Sequence, residues 1–220
     1  MRVIAGRYRG SYLKAPDGLT TRPLTDRIKE TLFNVLGARL AVPGLVPDID
    51  VLDLFAGSGG LGIEALSRGA RTCVFVERDR RSLRVLRDNL AGLRLGADVA
   101  RVVAENVWTL RLPRAGGEGY GLIFIDPPFR DFESPVRVVD LVLRAAARLA
   151  PDGVLMLRHD VRYRFDAAQL TGLTCVDERV LGRSRILLMA RGDGAVPGEQ
   201  QGEEEPRAED AGEDADGQLM

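Results

Sequence analysis

The chain has very little histidine, cysteine, tryptophan or lysine. His159 is its only histidine, Trp108 its only tryptophan, and Lys14 and Lys29 are the only lysines among 31 basic residues. With one histidine and no C-x-x-C pair, a zinc site is not expected. The two cysteines, Cys73 and Cys175, sit in apolar strand-like runs without paired spacing. They read as buried thiols of a reducing compartment, here the cytoplasm. No apolar run is long enough to span a bilayer. Arg2, Arg7 and Arg9 interrupt the start too early for the apolar region of a secretory signal, so no membrane association is expected.

Arginine and acid are abundant, and they are unevenly placed. The formal net charge is −1, but residues 193–220 hold ten acids and one base. Residues 1–192 therefore carry 30 basic and 22 acidic residues, an excess of eight positive charges. A basic body suits a polyanionic partner. The acidic tail has almost no large apolar residue, cannot offset its ordering entropy by burial, and is expected to be disordered.

The stretch Val51-Leu52-Asp53-Leu54-Phe55-Ala56-Gly57-Ser58-Gly59-Gly60-Leu61-Gly62 organises the rest. An apolar run carrying one acid breaks into glycines and resumes as an apolar helix, the pattern of strand, tight turn and helix start. Gly57, Gly59 and Gly62 also spell G-x-G-x-x-G, a dinucleotide fingerprint that leaves an NAD-dependent oxidoreductase open. Asp53 weighs against a pyrophosphate and suits a ligand with an ammonium and hydroxyls, such as S-adenosylmethionine.

Strand and helix patterns then alternate. Strands are expected over 50–54, 71–77, 99–103, 120–126 and 154–157. Helices are expected over 26–37, 61–68, 80–93 and 135–149, with a short one over 107–110. Segments 173–181 and 185–190, around Gly182-Arg183-Ser184, read as a closing antiparallel hairpin. The pattern predicts an α/β fold: a doubly wound, mostly parallel, seven-stranded sheet. Residues 1–24 read as a small basic appendage, with short strands at 2–5 and 11–14. There Arg7, Tyr8, Arg9 and Tyr12 interleave cations with aromatics, a pattern that suits phosphate contacts and base stacking or equally a solvated hairpin with no ligand. Residues 25–192 form the main domain and 193–220 the tail.

Ligands of such sheets bind at the carboxyl ends of the strands. Asp53, Glu77 and Asp126 each end a strand. Glu77 can accept two ribose hydroxyls, and Asn106 can pair with an adenine edge or be a plain turn residue. Asp126-Pro127-Pro128-Phe129 favours a methyl donor over NAD. Two prolines fix φ twice and remove two N–H donors, projecting carbonyls beside a carboxylate. That pair of acceptors can hold both hydrogens of an exocyclic aromatic amine and aim its lone pair. Phe129 offers a stacking face for a flipped base. The same turn serves methylation of guanine N2 or adenine N6. His159, just past a strand, reads as rim rather than general base.

At these residues the chain resembles the bacterial small-subunit rRNA guanine-N2 methyltransferases. The resemblance is carried by Met1 to Gly10, by Thr21-Arg22-Pro23-Leu24-Thr25-Asp26-Arg27 with Lys29 to Asn34, by Leu52 to Ala70, and by Asp126 to Phe129. It implies a Rossmann-like class I fold and transfer of a methyl group from S-adenosylmethionine to one guanine of 16S rRNA in an assembling small subunit. It implies cofactor contacts at Asp53, Phe55, Gly57, Ser58, Gly59, Glu77 and Asn106. It implies amine binding at Asp126, Pro127, Pro128 and Phe129, and RNA contacts at Arg7, Arg9 and Arg22. Leu24 stands where the family often has threonine, and the Gly182-Arg183-Ser184 turn lacks a tyrosine-glycine pair common in members. With no exposed apolar stripe, a monomer is expected.

Overall fold

The computed structural model describes residues 1–16, 25–40, 44–163 and 169–192. The expected acidic tail, Arg22, Leu24 and residues 41–43 lie outside these residues.

The strands are β1 (Asp50–Leu54), β2 (Thr72–Val76), β3 (Ala100–Val103), β4 (Tyr120–Ile125), β5 (Leu149–Asp160), β6 (Leu173–Leu181) and β7 (Ser184–Arg191). They form one sheet in the order β3-β2-β1-β4-β5-β7-β6. β1 to β5 run parallel, and β7 is antiparallel to both β5 and β6. β1 and β4 are buried along their whole length, as strands covered on both faces must be. One face carries Val51, Phe75, Leu122, Phe124 and Met156 under α1 (Asp26–Arg39), α2 (Gly60–Arg68) and α3 (Arg80–Gly92). The other carries Leu52, Val76, Ile123, Ile125 and Leu157 under α4 (Pro135–Ala146). The doubly wound sheet is the one that the alternating pattern predicts.

Local chemistry sets the helix starts. The Thr25 hydroxyl accepts from Ile28 N at the head of α1, and the Asp79 carboxylate accepts from Ser82 N (2.8 Å) at the head of α3. Pro135 occupies the first turn of α4. α4 ends at Ala146 rather than 149, because β5 begins at Leu149 and runs to Asp160, well beyond the expected 154–157. No helix forms over 107–110. The Asn106 carbonyl instead accepts from Thr109 N and Leu110 N in a single turn.

Residues 1–16 pack closely on the main domain. Val3 and Leu13 are buried in the α1–α2 core. The hairpin has only one β-bridge, Arg2 to Tyr12, and is held by α2 instead. The Glu64 carboxylate, fully buried, accepts from Ile4 N (2.8 Å), Ala5 N (3.0 Å) and Arg68 Nε (2.8 Å), with Lys29 Nζ 3.5 Å away. Ser67 Oγ accepts from Tyr8 N and donates to the Ala5 carbonyl. Burial pushes the Lys29 ammonium below its ordinary pKa, an effect opposed by Glu64.

Gly6 lies against this seam at φ +81°, and a Cβ there would sit 1.8 Å from the Ser67 carbonyl oxygen. The left-handed backbone alone costs an alanine about 1–2 kcal/mol. Gly6→Ala is therefore expected to destabilise the fold by at least roughly 2 kcal/mol, lowering Tm by about 4–8 °C for a domain of this size. Thermal unfolding checks it; an unchanged Tm would mean that the hairpin is not seated on α2.

Candidate active site

Parallel register brings the strand-end residues together. Leu54 pairs with Val76 on one side and Ile125 on the other, so Phe55 steps out of the sheet between Glu77 and Asp126. The chain then turns sharply. Phe55 has φ +65°, an outlier for an aromatic residue, and Gly57 and Gly59 have φ +56° and +89°. The Phe55 ring packs on Trp108 (5.2 Å between centroids), whose other neighbour is the Arg137 guanidinium at 4.7 Å.

The glycines differ in what they do. A Cβ on Gly57 would meet nothing within 4 Å, so the loop backbone there faces open space. A Cβ on Gly59 would strike Leu86 at 2.6 Å, and one on Gly62 would strike Phe75 at 2.3 Å. The loop is thus open at Gly57, whereas the missing side chains of Gly59 and Gly62 allow close packing of α2 on β2 and α3. Ser58 is buried, and its carbonyl accepts from Asn89 Nδ2 (2.9 Å), which anchors the loop to α3.

The three strand-end acids are close but differently occupied. Asp53 is 1% exposed, and its carboxylate accepts from Gly62 N at 2.9 Å. Burial, reinforced by Asp126 and Glu77, pushes its pKa up to about 8. Glu77 accepts from Gly57 N (2.8 Å) through one oxygen and from Arg78 N and Asp79 N (2.7 Å each) through the other. The glycine loop and the turn after β2 are thus tied together by one carboxylate, which still has lone pairs for hydroxyl donors. Asn106, beyond β3, accepts from Trp108 N through Oδ1 (3.3 Å), as a turn residue does.

Asp126 follows β4 directly. Pro127 is buried, and the Pro128 carbonyl accepts from Asp131 N (2.8 Å), opening a 3-10 helix over Phe129–Glu133. Burial raises the Asp126 pKa, and Arg158 opposes it. Arg158, at the end of β5, was not singled out by sequence reasoning. Its Nε donates to Asp126 Oδ1 at 2.6 Å, its Nη1 donates to Ser184 Oγ at 3.3 Å, and its guanidinium lies 5.1 Å from the Phe129 ring centroid. One face of Phe129 is therefore already covered. The strand-end rule that found the acids would have found Arg158 had it been applied to bases.

One sequence expectation is corrected by position, and the place of two others is set. His159 is not on the rim: it lies inside β5, 1% exposed, with its ring 5.3 Å from Phe132 on the α4 face. Burial lowers its pKa. Arg7 and Arg9 sit in the hairpin turn bonded to Ser67, at the carboxyl end of α2. That end meets the amino edge of the sheet, since Arg71 N donates to the Ile49 carbonyl just afterwards. These arginines thus lie on the edge opposite Asp126. Tyr12 is 88% exposed.

The family profile described as Conserved hypothetical protein 95 matches residues 1–190. The chain is 41% identical to "Putative rRNA methyltransferase YlbH" of Bacillus subtilis (strain 168) over 73% of its length and 83% of the relative's. It is 43% identical to "Ribosomal RNA small subunit methyltransferase D" of Escherichia coli (strain K12), over 59% of its length; the match spans 61% of that relative. Among solved structures, "Putative methyltransferase yhhF from Escherichia coli" aligns with TM-score 0.67 and 34% identity, covering 88% of this chain and 98% of that one. A methylase of Haemophilus influenzae aligns with TM-score 0.63 and 27% identity, over 86% and 97%.

Proposed function

The chain belongs to the Conserved hypothetical protein 95 family, and from that premise we propose that it is an S-adenosylmethionine-dependent methyltransferase acting on the N2 amine of a guanine in 16S rRNA. The observation that carries the reading is the adjacency of Glu77, the glycine loop and Asp126 at the ends of β2, β1 and β4. Curated relatives named as small-subunit rRNA methyltransferases support the substrate.

The residues fit the methyl donor. Glu77 can accept the ribose hydroxyls, Gly57 leaves its loop face open, and Phe55 with Trp108 forms an aromatic wall. Three acids around one loop favour an ammonium and disfavour a pyrophosphate. When bound there, S-adenosylmethionine supplies a methyl group on a sulfonium. The chain's own part is to hold the amine. Asp126 accepts one N–H and a proline carbonyl the other, so the lone pair points across the sheet edge. The product ammonium then loses its proton to solvent. Phe129 stacks the flipped base on the face that Arg158 leaves open. Arg7 and Arg9 hold RNA away from the target base, and Arg22 is a further RNA contact. The enzyme works as a monomer in the cytoplasm, on the assembling subunit. Among the described residues no helix is long and apolar enough to cross a membrane.

Asp53 makes cofactor binding pH-dependent. With its pKa near 8 it holds its proton at pH 7 in the free protein, and a ligand ammonium favours the carboxylate. S-adenosylhomocysteine binding is therefore expected to release a proton and to tighten as pH rises from 6 to 8, by up to about tenfold per unit. Calorimetry in two buffers of different ionisation enthalpy reads this directly; buffer-independent heats below pH 7.5 would remove Asp53 from the cofactor site.

The function itself is tested by incubating the protein with labelled methyl donor and unmethylated small subunits, naked 16S rRNA or DNA. Label is expected in RNA. Label in DNA alone would point to the adenine reading, and tight NAD binding without S-adenosylhomocysteine binding would point to an oxidoreductase.

A further inference from the structure

The sheet edge beside Asp126 carries a second charged cluster. Asp160 ends β5, two residues beyond Arg158 on the same face and about 7 Å along the strand. Its side chain is 0% exposed, and it holds two arginines that are each 66% exposed. Arg162 donates from Nε to Oδ1 (3.1 Å) and from Nη2 to Oδ2 (3.1 Å). Arg183 donates from Nε (3.2 Å) and Nη2 (2.6 Å) to Oδ2. The Arg162 fork is the chief reason that the Asp160 carboxyl is held far below its usual range. One buried carboxylate thus fixes two guanidiniums, leaving a net positive charge with the outer N–H groups of both forks facing solvent.

The cluster is coupled to the catalytic turn by short links. Ser184 pairs with Asp160 in the β5–β7 register, and the Arg183 carbonyl accepts from Val161 N (3.0 Å). Ser184 Oγ accepts from Arg158, which holds Asp126. Two exposed arginines pinned in fork geometry have lost much of their rotamer freedom before any ligand arrives. Planar forks of this kind match phosphate oxygens. The hairpin turn that carries Arg183 and the turn after β5 that carries Arg162 therefore form a built anion site on the same edge as the target amine.

We infer that Arg162 and Arg183, set by Asp160, clamp the RNA backbone phosphates flanking the target guanine. This rests on the RNA methyltransferase reading above. It assigns RNA grip at the catalytic edge to the β6–β7 turn, where the turn departs from the tyrosine-glycine pattern, while Arg7 and Arg9 face the other edge.

The test compares the full chain with Arg162→Gln, Arg183→Gln and the double variant. Binding to labelled 16S rRNA is measured across a salt series, together with KM and kcat for methyl transfer. Each substitution is expected to lower the slope of log K against log salt by about 0.7, the value for one single-strand phosphate contact. Each is expected to weaken RNA binding roughly fivefold at 0.1 M salt. KM for RNA rises, while kcat at saturation and S-adenosylhomocysteine affinity stay within about a factor of two. Unchanged slopes and KM, with wild-type binding and methylation intact, overturn the clamp alone and leave the pair as a pin for the hairpin. A wild-type protein that neither binds nor methylates RNA overturns the underlying reading and the clamp with it. If the double variant fails to bind S-adenosylhomocysteine, the single variants, in which Asp160 keeps one partner, carry the test.

Discussion

Asp126→Ala lowers the methyl-transfer rate by about a hundredfold or more while leaving S-adenosylhomocysteine affinity within about a factor of two. In the proposed reaction Asp126 supplies the acceptor that turns the amine lone pair toward the methyl group, and losing the orientation of a reacting group costs about 10² or more in rate. The substitution also leaves the Arg158 cation, 2.6 Å from Asp126 Oδ1, without its counter-charge beside a site meant for a sulfonium. Repulsion adds to the lost acceptor. Arg158→Met is expected to be milder in rate but to shift the pH profile toward higher pH, because Arg158 is what opposes the burial-driven rise in the Asp126 pKa. The two effects should not add, since both act on one carboxylate. Single-turnover kinetics with separate ligand titrations resolve them. A parallel loss of cofactor binding in Asp126→Ala would show that residue 126 holds the donor rather than the acceptor.

Glu64→Gln destabilises the fold by about 3–5 kcal/mol, the range for breaking a buried ion pair. For a domain of this size that is a fall in Tm of roughly 6–20 °C. The reason lies in the count of donors around the carboxylate. Ile4 N, Ala5 N and Arg68 Nε all donate to it, and Lys29 is adjacent. A glutamine amide would turn one of these acceptors into a donor facing a donor, and would leave two buried cations without a counter-ion. The hairpin and α1 should loosen together, because Lys29 Nζ also donates to the Arg2 carbonyl. Calorimetric unfolding checks the magnitude. A loss below about 1 kcal/mol would show that the N-terminal segment is held by Val3 and Leu13 burial instead.

The sheet was legible because its central strands are extreme. Val74 to Val76 and Leu122 to Ile125 are apolar without alternation, and only a doubly covered strand buries such a run. The ends of β5 were not legible. Pro151, Asp152 and Gly153 have turn chemistry, and His159 and Asp160 look like surface, yet all lie within one strand whose register with β4 shifts between Tyr120 and Leu122. The acids at the strand ends could be read from the fold rule alone. Their partners could not: Arg158 and Asp126 are 32 residues apart, and only the adjacency of β4 and β5 joins them. The N-terminal block carries more than its basic turn: much of it forms the seam between Gly6, Lys29, Glu64 and Ser67, which only the packing of the hairpin on α2 reveals.

The reaction is read out by nucleoside mass spectrometry of 16S rRNA after incubation of unmethylated small subunits with this protein and deuterated-methyl S-adenosylmethionine. Labelled N2-methylguanosine is expected with the wild-type chain and none with Asp126→Ala. Labelled N6-methyladenosine, or labelled N2-methylguanosine persisting in the Asp126 variant, would contradict the proposed reaction.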